Sequence, residues 1–239
     1  MSKPNNKVKY LLRIFLGSIL LFGILLIFSK PVTNFISSQR TEDFRIHQLD
    51  RETVKKNQEM TPEDNPEKVS FDYEAVEPIS PQAVMKSQFK SVDYPVIAEL
   101  AIPSIDVSLP IFLGVSNDAL LYGAGTLKPD QVMGQGNYAL ISHLSYDLSA
   151  LFSPLSNIPM GAAIYLTDLE NVYIYRASEK LEVRPDELWV LDDVIGHTLV
   201  TLITCADYEA QNRLVVQGEL KEIIPFSEMT KEISQIFNL

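Results

Sequence analysis

Apolar and polar positions divide this chain into three unlike stretches. From Leu11 to Phe28 the residues are almost all apolar, with Arg13 the one charge among them. From Pro31 to about Val84, prolines and charges interrupt every apolar run. There Thr41 to Val54 predicts a helix, while Thr61 to Glu67 and Glu77 to Pro81 are Pro-rich acidic breakers. After Val96, short branched runs alternate with turn residues. Strands are predicted at Ala98–Ile102, Val107–Phe112, Asn137–Ser142, Ala163–Thr167, Val172–Ala177, Leu181–Val183, Leu188–Leu191, Leu199–Thr204 and Leu214–Leu220. Asp118–Leu121 is a short helix or turn, Phe152–Ile158 a short helix, and Gly134-Gln135-Gly136 breaks the chain before the Asn137 strand. Many short strands at this spacing indicate a mostly β domain, an antiparallel barrel or sandwich.

A length of 239 residues allows one globular domain with additions. The net charge of −11 argues against nucleic acid, because a phosphate backbone needs clustered Lys and Arg. A single cysteine excludes any intrachain disulfide. No P-loop, Gly-rich dinucleotide turn, repeat or metal-ligand cluster is present, and no cofactor is implied.

That cysteine, Cys205, ends the strongly β-prone run Leu199–Thr204. A lone cysteine is often a small buried hydrophobe. Two residues argue for chemistry instead: His143 follows the strand ending at Ser142, and Arg213 precedes the strand beginning at Leu214. Thiol, imidazole and guanidinium thus all lie at strand borders. His197, in a turn at the far end of the Cys205 strand, is a poorer partner. Eight residues of extended chain separate it from the thiol, about 26 Å. His47 lies among charges in the second stretch and reads as an ordinary exposed residue.

Thr201-Leu202-Ile203-Thr204-Cys205 followed by Arg213, with His143 upstream, resembles the signature of the sortases, the cysteine transpeptidases of Gram-positive cell surfaces. Leu109-Pro110-Ile111-Phe112, Tyr122-Gly123-Ala124-Gly125-Thr126, Leu151-Phe152-Ser153-Pro154-Leu155 and Ile164-Tyr165-Leu166-Thr167-Asp168 resemble class A members in particular. The resemblance implies an eight-stranded sortase-type β-barrel with a few short helices. It also implies a surface-protein substrate bearing a Leu-Pro-x-Thr-Gly sorting signal, cut between Thr and Gly, and an acceptor amine on a peptidoglycan precursor. By the same resemblance Cys205 is the nucleophile, His143 the acid and base, and Arg213 the oxyanion donor. Positions matching the substrate groove are Val183, Pro185, Ile203 and Thr204, with Ile141 and Ser142 beside the histidine; simple barrel core is the other reading of these. The calcium site of some class A sortases needs an acidic cluster before the His strand, and Lys128 to Gly136 offers only Asp130, so calcium dependence is not expected.

Lys3, Lys7, Lys9 and Arg13 precede an apolar run that approaches the roughly 20 residues needed to span a bilayer. The positive flank predicts a single-pass anchor with a cytoplasmic N-terminus and an extracellular remainder. A cleaved signal peptide is the alternative, but no Ala-x-Ala-like site follows Phe28. The expected organisation is a tail at 1 to 10, a transmembrane anchor at 11 to 29, a partly helical solvated stalk at 30 to 84 and the catalytic domain at 85 to 239. A catalytically silent anchored binding domain and a plain cysteine endopeptidase are the competing readings.

Overall fold

The computed structural model describes residues 9–20, 23, 41–63, 65–87 and 93–239. The chain divides into two compact units, Met1–Ile36 and Ser37–Leu239. In the first, residues 9–20 are helical. Among the described residues no helix is long and apolar enough to cross a membrane, and most of the expected anchor beyond residue 20 lies outside the described residues.

The second unit is built on eight strands: β1 (Val96–Ile102), β2 (Val107–Phe112), β3 (Ala124–Thr126), β4 (Asn137–Ile141), β5 (Ala163–Thr167), β6 (Asn171–Val183), β7 (Leu199–Cys205) and β8 (Arg213–Pro225). They close into a barrel in the order β1-β2-β3-β4-β7-β8-β6-β5. The β2/β3 and β4/β7 pairs are parallel and the others antiparallel. Closure leaves no strand edge unpaired, which suits a sheet with no disulfide to hold it. Leu100, Ile111, Leu140, Ile164, Leu202 and Val216 fill the interior.

Three expectations need correction, besides the helix expected over Thr41–Val54, which is interrupted at residues 44–50 and resumes at Arg51. Val172–Ala177 and Leu181–Val183 are one 13-residue strand. The charged residues between them read as a turn, but Glu179 and Lys180 are exposed and stay in the ladder opposite Gln217 and Val216, past a register shift at Ala177/Glu179. Leu188–Leu191 is a 3-10 helix instead of a strand; only Val190 is buried while Leu188 and Trp189 face out.

The third correction concerns the stalk. Residues 41–63 and 65–87 are not a solvated spacer: they pack on the barrel, while residues 30–40 of the expected stalk lie outside the described residues. Helix α1 (Arg51–Gln58) is capped by Asp50, whose side chain accepts from the Thr53 N–H. Its Asn57 and Gln58 side chains donate to the carbonyls of Val96 and Ile97 on β1, at 2.8 and 3.2 Å. Phe44 packs on Tyr94, Phe112 and Tyr122, while Ile46 and Val54 are also buried. Arg45 reaches a buried carboxylate in β1, Glu99, with Nη2 2.5 Å from Oε1. That approach is off the line a hydrogen bond needs, since neither Arg45 Nη2 nor Nε makes one, so the contact is one of charge. The directed bonds to Glu99 come from the Ile46 N–H and the Ser108 hydroxyl, at 2.9 and 3.2 Å. His47 is half-buried, its Nε2 3.6 Å from a Glu42 carboxylate oxygen. Helix α2 (Pro81–Ser87) ends the segment. At the other terminus α3 (Lys231–Ile236) covers part of β1 and β6 with Ile233, next to buried Phe237. Burial on both faces explains why every residue of β1 is buried.

Candidate active site

Barrel order fixes the relation between the three chemical groups. β4, β7, β8 and β6 are consecutive neighbours. Ile141 pairs with Ile203 in the parallel β4/β7 ladder, so His143 and Cys205 each lie two residues past a paired position. The ladder continues through the Ser142 N–H, which donates to the Ile203 carbonyl at 3.1 Å. On the other side Cys205 is the register partner of Arg213, and Arg213 in turn pairs with Val183. Neighbouring strands are about 4.8 Å apart, so the thiol has the histidine one strand away on one side and the arginine one strand away on the other.

Side-chain alternation then sorts the residues by face. Ala139, Ile141, Val183, Ile203 and Val215 belong to one apolar cluster, distinct from the barrel interior that holds Leu140, Leu202 and Leu214. His143, Cys205 and Arg213 share the parity of that cluster, so they stand at one end of an apolar face. Ser142 and Thr204 have the opposite parity. The Ser142 hydroxyl donates to the Gly123 carbonyl at 2.8 Å, and Thr204 Oγ1 is buried with no hydrogen-bond partner. Pro185 is exposed in the loop after β6. Of the six groove candidates, then, Ile141, Val183 and Ile203 are brought onto one face; Ser142, Thr204 and Pro185 are not.

Sequence reasoning missed two covering residues, Tyr73 and Val76, which pack against this same cluster. Their segment is stitched to the loop after β2. The Ser70 carbonyl accepts from the Val115 N–H at 2.6 Å, the Ala75 carbonyl accepts from Asn117 Nδ2 at 2.9 Å, and Asn117 Oδ1 accepts from the Glu77 N–H at 2.8 Å. Gly114 makes the approach possible: its φ is +79°, and a Cβ there would lie 2.4 Å from the Ser70 carbonyl oxygen. The one available signal was composition, since Phe71, Tyr73, Val76 and Ile79 are more apolar than a solvated spacer needs.

The electrostatics describe a resting site. The His143 ring is buried, and that burial alone lowers its pKa from 6.5 to about 4. Burial raises the Cys205 thiol above its ordinary 9.0, opposed by the Arg213 charge and assisted by Asp207. Neutral imidazole and protonated thiol are therefore the dominant forms at neutral pH. Arg213 Nη1 donates to the carbonyls of Ala210 and Asn212 at 2.9 and 3.3 Å, which fixes the guanidinium and leaves Nε and Nη2 for a ligand.

His197 lies before the first residue of β7, with Nδ1 3.2 Å from Glu219 Oε1, at the end of the strand away from Cys205. A cavity of about 470 Å³ lined by Lys128, Asp130, Asn137 and Asp193 also sits at the opposite end of β4 from His143, away from this chemistry. In it Lys128 Nζ is 3.2 Å from Asp193 Oδ1, and no group of three or more His, Cys, Asp or Glu that could hold a metal occurs among the described residues.

With the geometry in place, comparison with known proteins decides the family. A Sortase domain model matches residues 100–221, just over half of the chain. The chain belongs to the sortase family. It is 37% identical over 238 residues to Sortase A of Streptococcus agalactiae, covering 98% of this chain and 92% of that one. Against Sortase A of Listeria monocytogenes it is 38% identical over 216 residues, covering 90% and 92%. The crystal structure of the Listeria monocytogenes sortase A superposes with a TM-score of 0.56 at 40% identity, over 60% of this chain and 98% of that chain. These relatives support class A within the sortases.

Proposed function

We propose that this sortase is a membrane-anchored cysteine transpeptidase that cleaves a Leu-Pro-x-Thr-Gly sorting signal between Thr and Gly and joins the threonyl carbonyl to an amine of a peptidoglycan precursor. The observation that carries the reading is the placement of Cys205 between His143 and Arg213 at the end of one apolar face. Acyl transfer needs a nucleophile, a proton donor for the leaving amine and a positive group facing the developing oxyanion. In the fraction of molecules carrying thiolate and imidazolium, Cys205 Sγ attacks the threonyl carbonyl while Arg213 stabilises the oxyanion. His143 gives its proton to the departing glycyl nitrogen, and a thioester remains on Sγ. The acceptor amine attacks that thioester, His143 takes up the amine proton, and the thiolate leaves as the new amide forms. Ile141, Val183 and Ile203, together with Tyr73 and Val76 that pack against them, give an apolar lining that suits the Leu-Pro portion of the signal.

Two features make the thiol a slow nucleophile. Cys205 ends a strand, so no helix dipole lowers its pKa, and burial raises it. Only a minority of molecules is ready to attack. The anchor is part of the same reading: Lys3, Lys7, Lys9 and Arg13 beside an apolar run favour a cytoplasmic N-terminus with the barrel outside the cell. A fluorescent Leu-Pro-x-Thr-Gly peptide incubated with the full-length protein, with and without a glycyl amine, tests the proposal. Amine-trapped ligation supports it. Cleavage with no trapped product would make the protein an endopeptidase, and no cleavage would leave a binding domain.

A further inference from the structure

The loops that follow His143 and Cys205 meet in a contact the reaction scheme does not use. Tyr146 and Tyr208 stack in parallel, with ring centroids 4.9 Å apart and planes 7° from parallel. The parallel register of β4 and β7 explains the meeting: Tyr146 is five residues beyond Ile141 and Tyr208 five beyond its partner Ile203. The Tyr208 hydroxyl also donates to the Ser145 carbonyl at a long 3.4 Å. Both rings are largely exposed, at 64% and 49%, so the pair contributes little to the core.

What the stack holds is the frame of the candidate site. Residues 206–212 form a tight turn: the Ala206 N–H donates to the Asn212 carbonyl at 3.0 Å, and Asp207 accepts from the Ala210 and Gln211 N–H groups at 3.2 and 3.1 Å. Ala210 is left-handed, at φ +56°, an uncommon state for a residue with a Cβ. The carbonyls that fix Arg213 Nη1 belong to Ala210 and Asn212 of this same turn. On the other side, loop 144–151 is closed by the Leu144–Leu151 bridge and by the Phe152 N–H donating to the His143 carbonyl at 3.2 Å. The tyrosines are thus a direct link between the turn that orients Arg213 and the loop that follows His143.

We infer that Tyr146 and Tyr208 are positioning residues, a clasp that holds the two loops in register so that Arg213 and His143 both face Cys205. The inference rests on the transpeptidase reading for its kinetic consequence, while the mechanical link can be measured without it. The work of positioning falls on the rings, so Phe at either position keeps it.

The test uses full-length protein in detergent with Tyr146→Ala, Tyr208→Ala, the double Ala variant, and Tyr146→Phe and Tyr208→Phe. An aromatic pair of this geometry corresponds to about a two- to tenfold effect. Ligation turnover should fall by that factor in each Ala variant, with the KM of the donor peptide unchanged. The double variant should be no worse than either single one, and both Phe variants should turn over normally. Hydrogen exchange supplies the readout that needs no substrate: Tyr146→Ala should speed exchange of the Ala206, Ala210 and Gln211 amides, which lie in the other loop. Normal turnover in both Ala variants, additive losses, or exchange unchanged in the 206–212 turn would overturn the clasp. So would a rise in the KM of the acceptor amine alone, which would make the rings a docking face. If the wild type fails to ligate, the functional reading fails, and the exchange result still decides the link.

Discussion

Replacing Arg45 by Met should destabilise this protein severely although Arg45 itself supplies no group to the proposed chemistry. Glu99 is fully buried in β1, and the Arg45 side chain beside it is 7% exposed. Met matches the length of the arginine stem, so the packing of Phe44 and Ile46 survives while the charge is lost. Removing one partner of a buried ion pair costs about 3 to 5 kcal/mol, because the remaining charge stays in the interior uncompensated. At about 2 to 4 °C per kcal/mol for a domain of this size, the melting temperature should drop by roughly 6 to 20 °C at pH 8. The pH dependence gives the cause. Burial raises the Glu99 pKa above 4.5, and Arg45 is the largest of the groups that oppose the rise. A raised native pKa means a contribution to stability that is present below the unfolded value and lost as pH climbs through the folded one. Without Arg45 the rise is larger, so the deficit should be greatest at pH 8 and shrink as pH falls toward 4.5. Adding Glu99→Gln to the Met variant removes the charge, keeps an acceptor for the Ile46 N–H, and should recover most of the loss. Scanning calorimetry of the three proteins across pH reads all of this. A Met variant melting within a degree or two of wild type at pH 8, or a deficit constant with pH, would mean that Arg45 does not compensate a buried Glu99 charge.

Truncation extends the point: a chain beginning at Ser37 should melt like the full-length protein, whereas one beginning at Pro81 loses buried Phe44, Ile46, Val54 and Val69 and should melt more than about 10 °C lower. Arg213→Lys should lower ligation turnover by well over about tenfold, and Arg213→Ala further, because an ammonium cannot reproduce a planar fork of donors. Near-normal turnover in the Lys variant would leave Cys205 and His143 alone in the mechanism. The pH profile of kcat/KM should be broad, with its acid limb near the His143 value of about 4 and its alkaline limb above the ordinary thiol value of 9.0. An acid limb above 6.5 would mean that His143 is not held neutral by burial.

The barrel was legible where local signals were strong. Leu199–Thr204 is β-prone throughout, and it is β7 up to its last residue. Cys205, His143 and Arg213 stood out because each is a reactive or charged residue at the end of such a run. Their adjacency follows from the parallel β4/β7 pairing and the antiparallel β7/β8 pairing, which no local pattern encodes. β3 was missed because it is three residues long and contains Gly125, where a Cβ would sit 2.3 Å from the Gly114 carbonyl oxygen. The docked segment was misread for a different reason. Prolines and acids punctuate it as they do a linker, and its anchors, Arg45 on Glu99 and Asn57 on Val96, join positions far apart in the chain. Beside that segment's apolar composition, a carboxylate in the middle of the apolar run Val96–Ile102 was a second visible sign, that something cationic must cover it.

The central claim is that Cys205 carries the acyl group between two amines. Intact-mass measurement of the full-length protein mixed with excess Leu-Pro-x-Thr-Gly peptide, quenched in acid within one turnover, tests it directly. The expected result is an adduct equal to the peptide cut after Thr, mapped to Cys205, absent in Cys205→Ala, and discharged into amide product when a glycyl amine is added. Product forming at the wild-type rate in the Ala variant, or an adduct that only water can discharge, would contradict it.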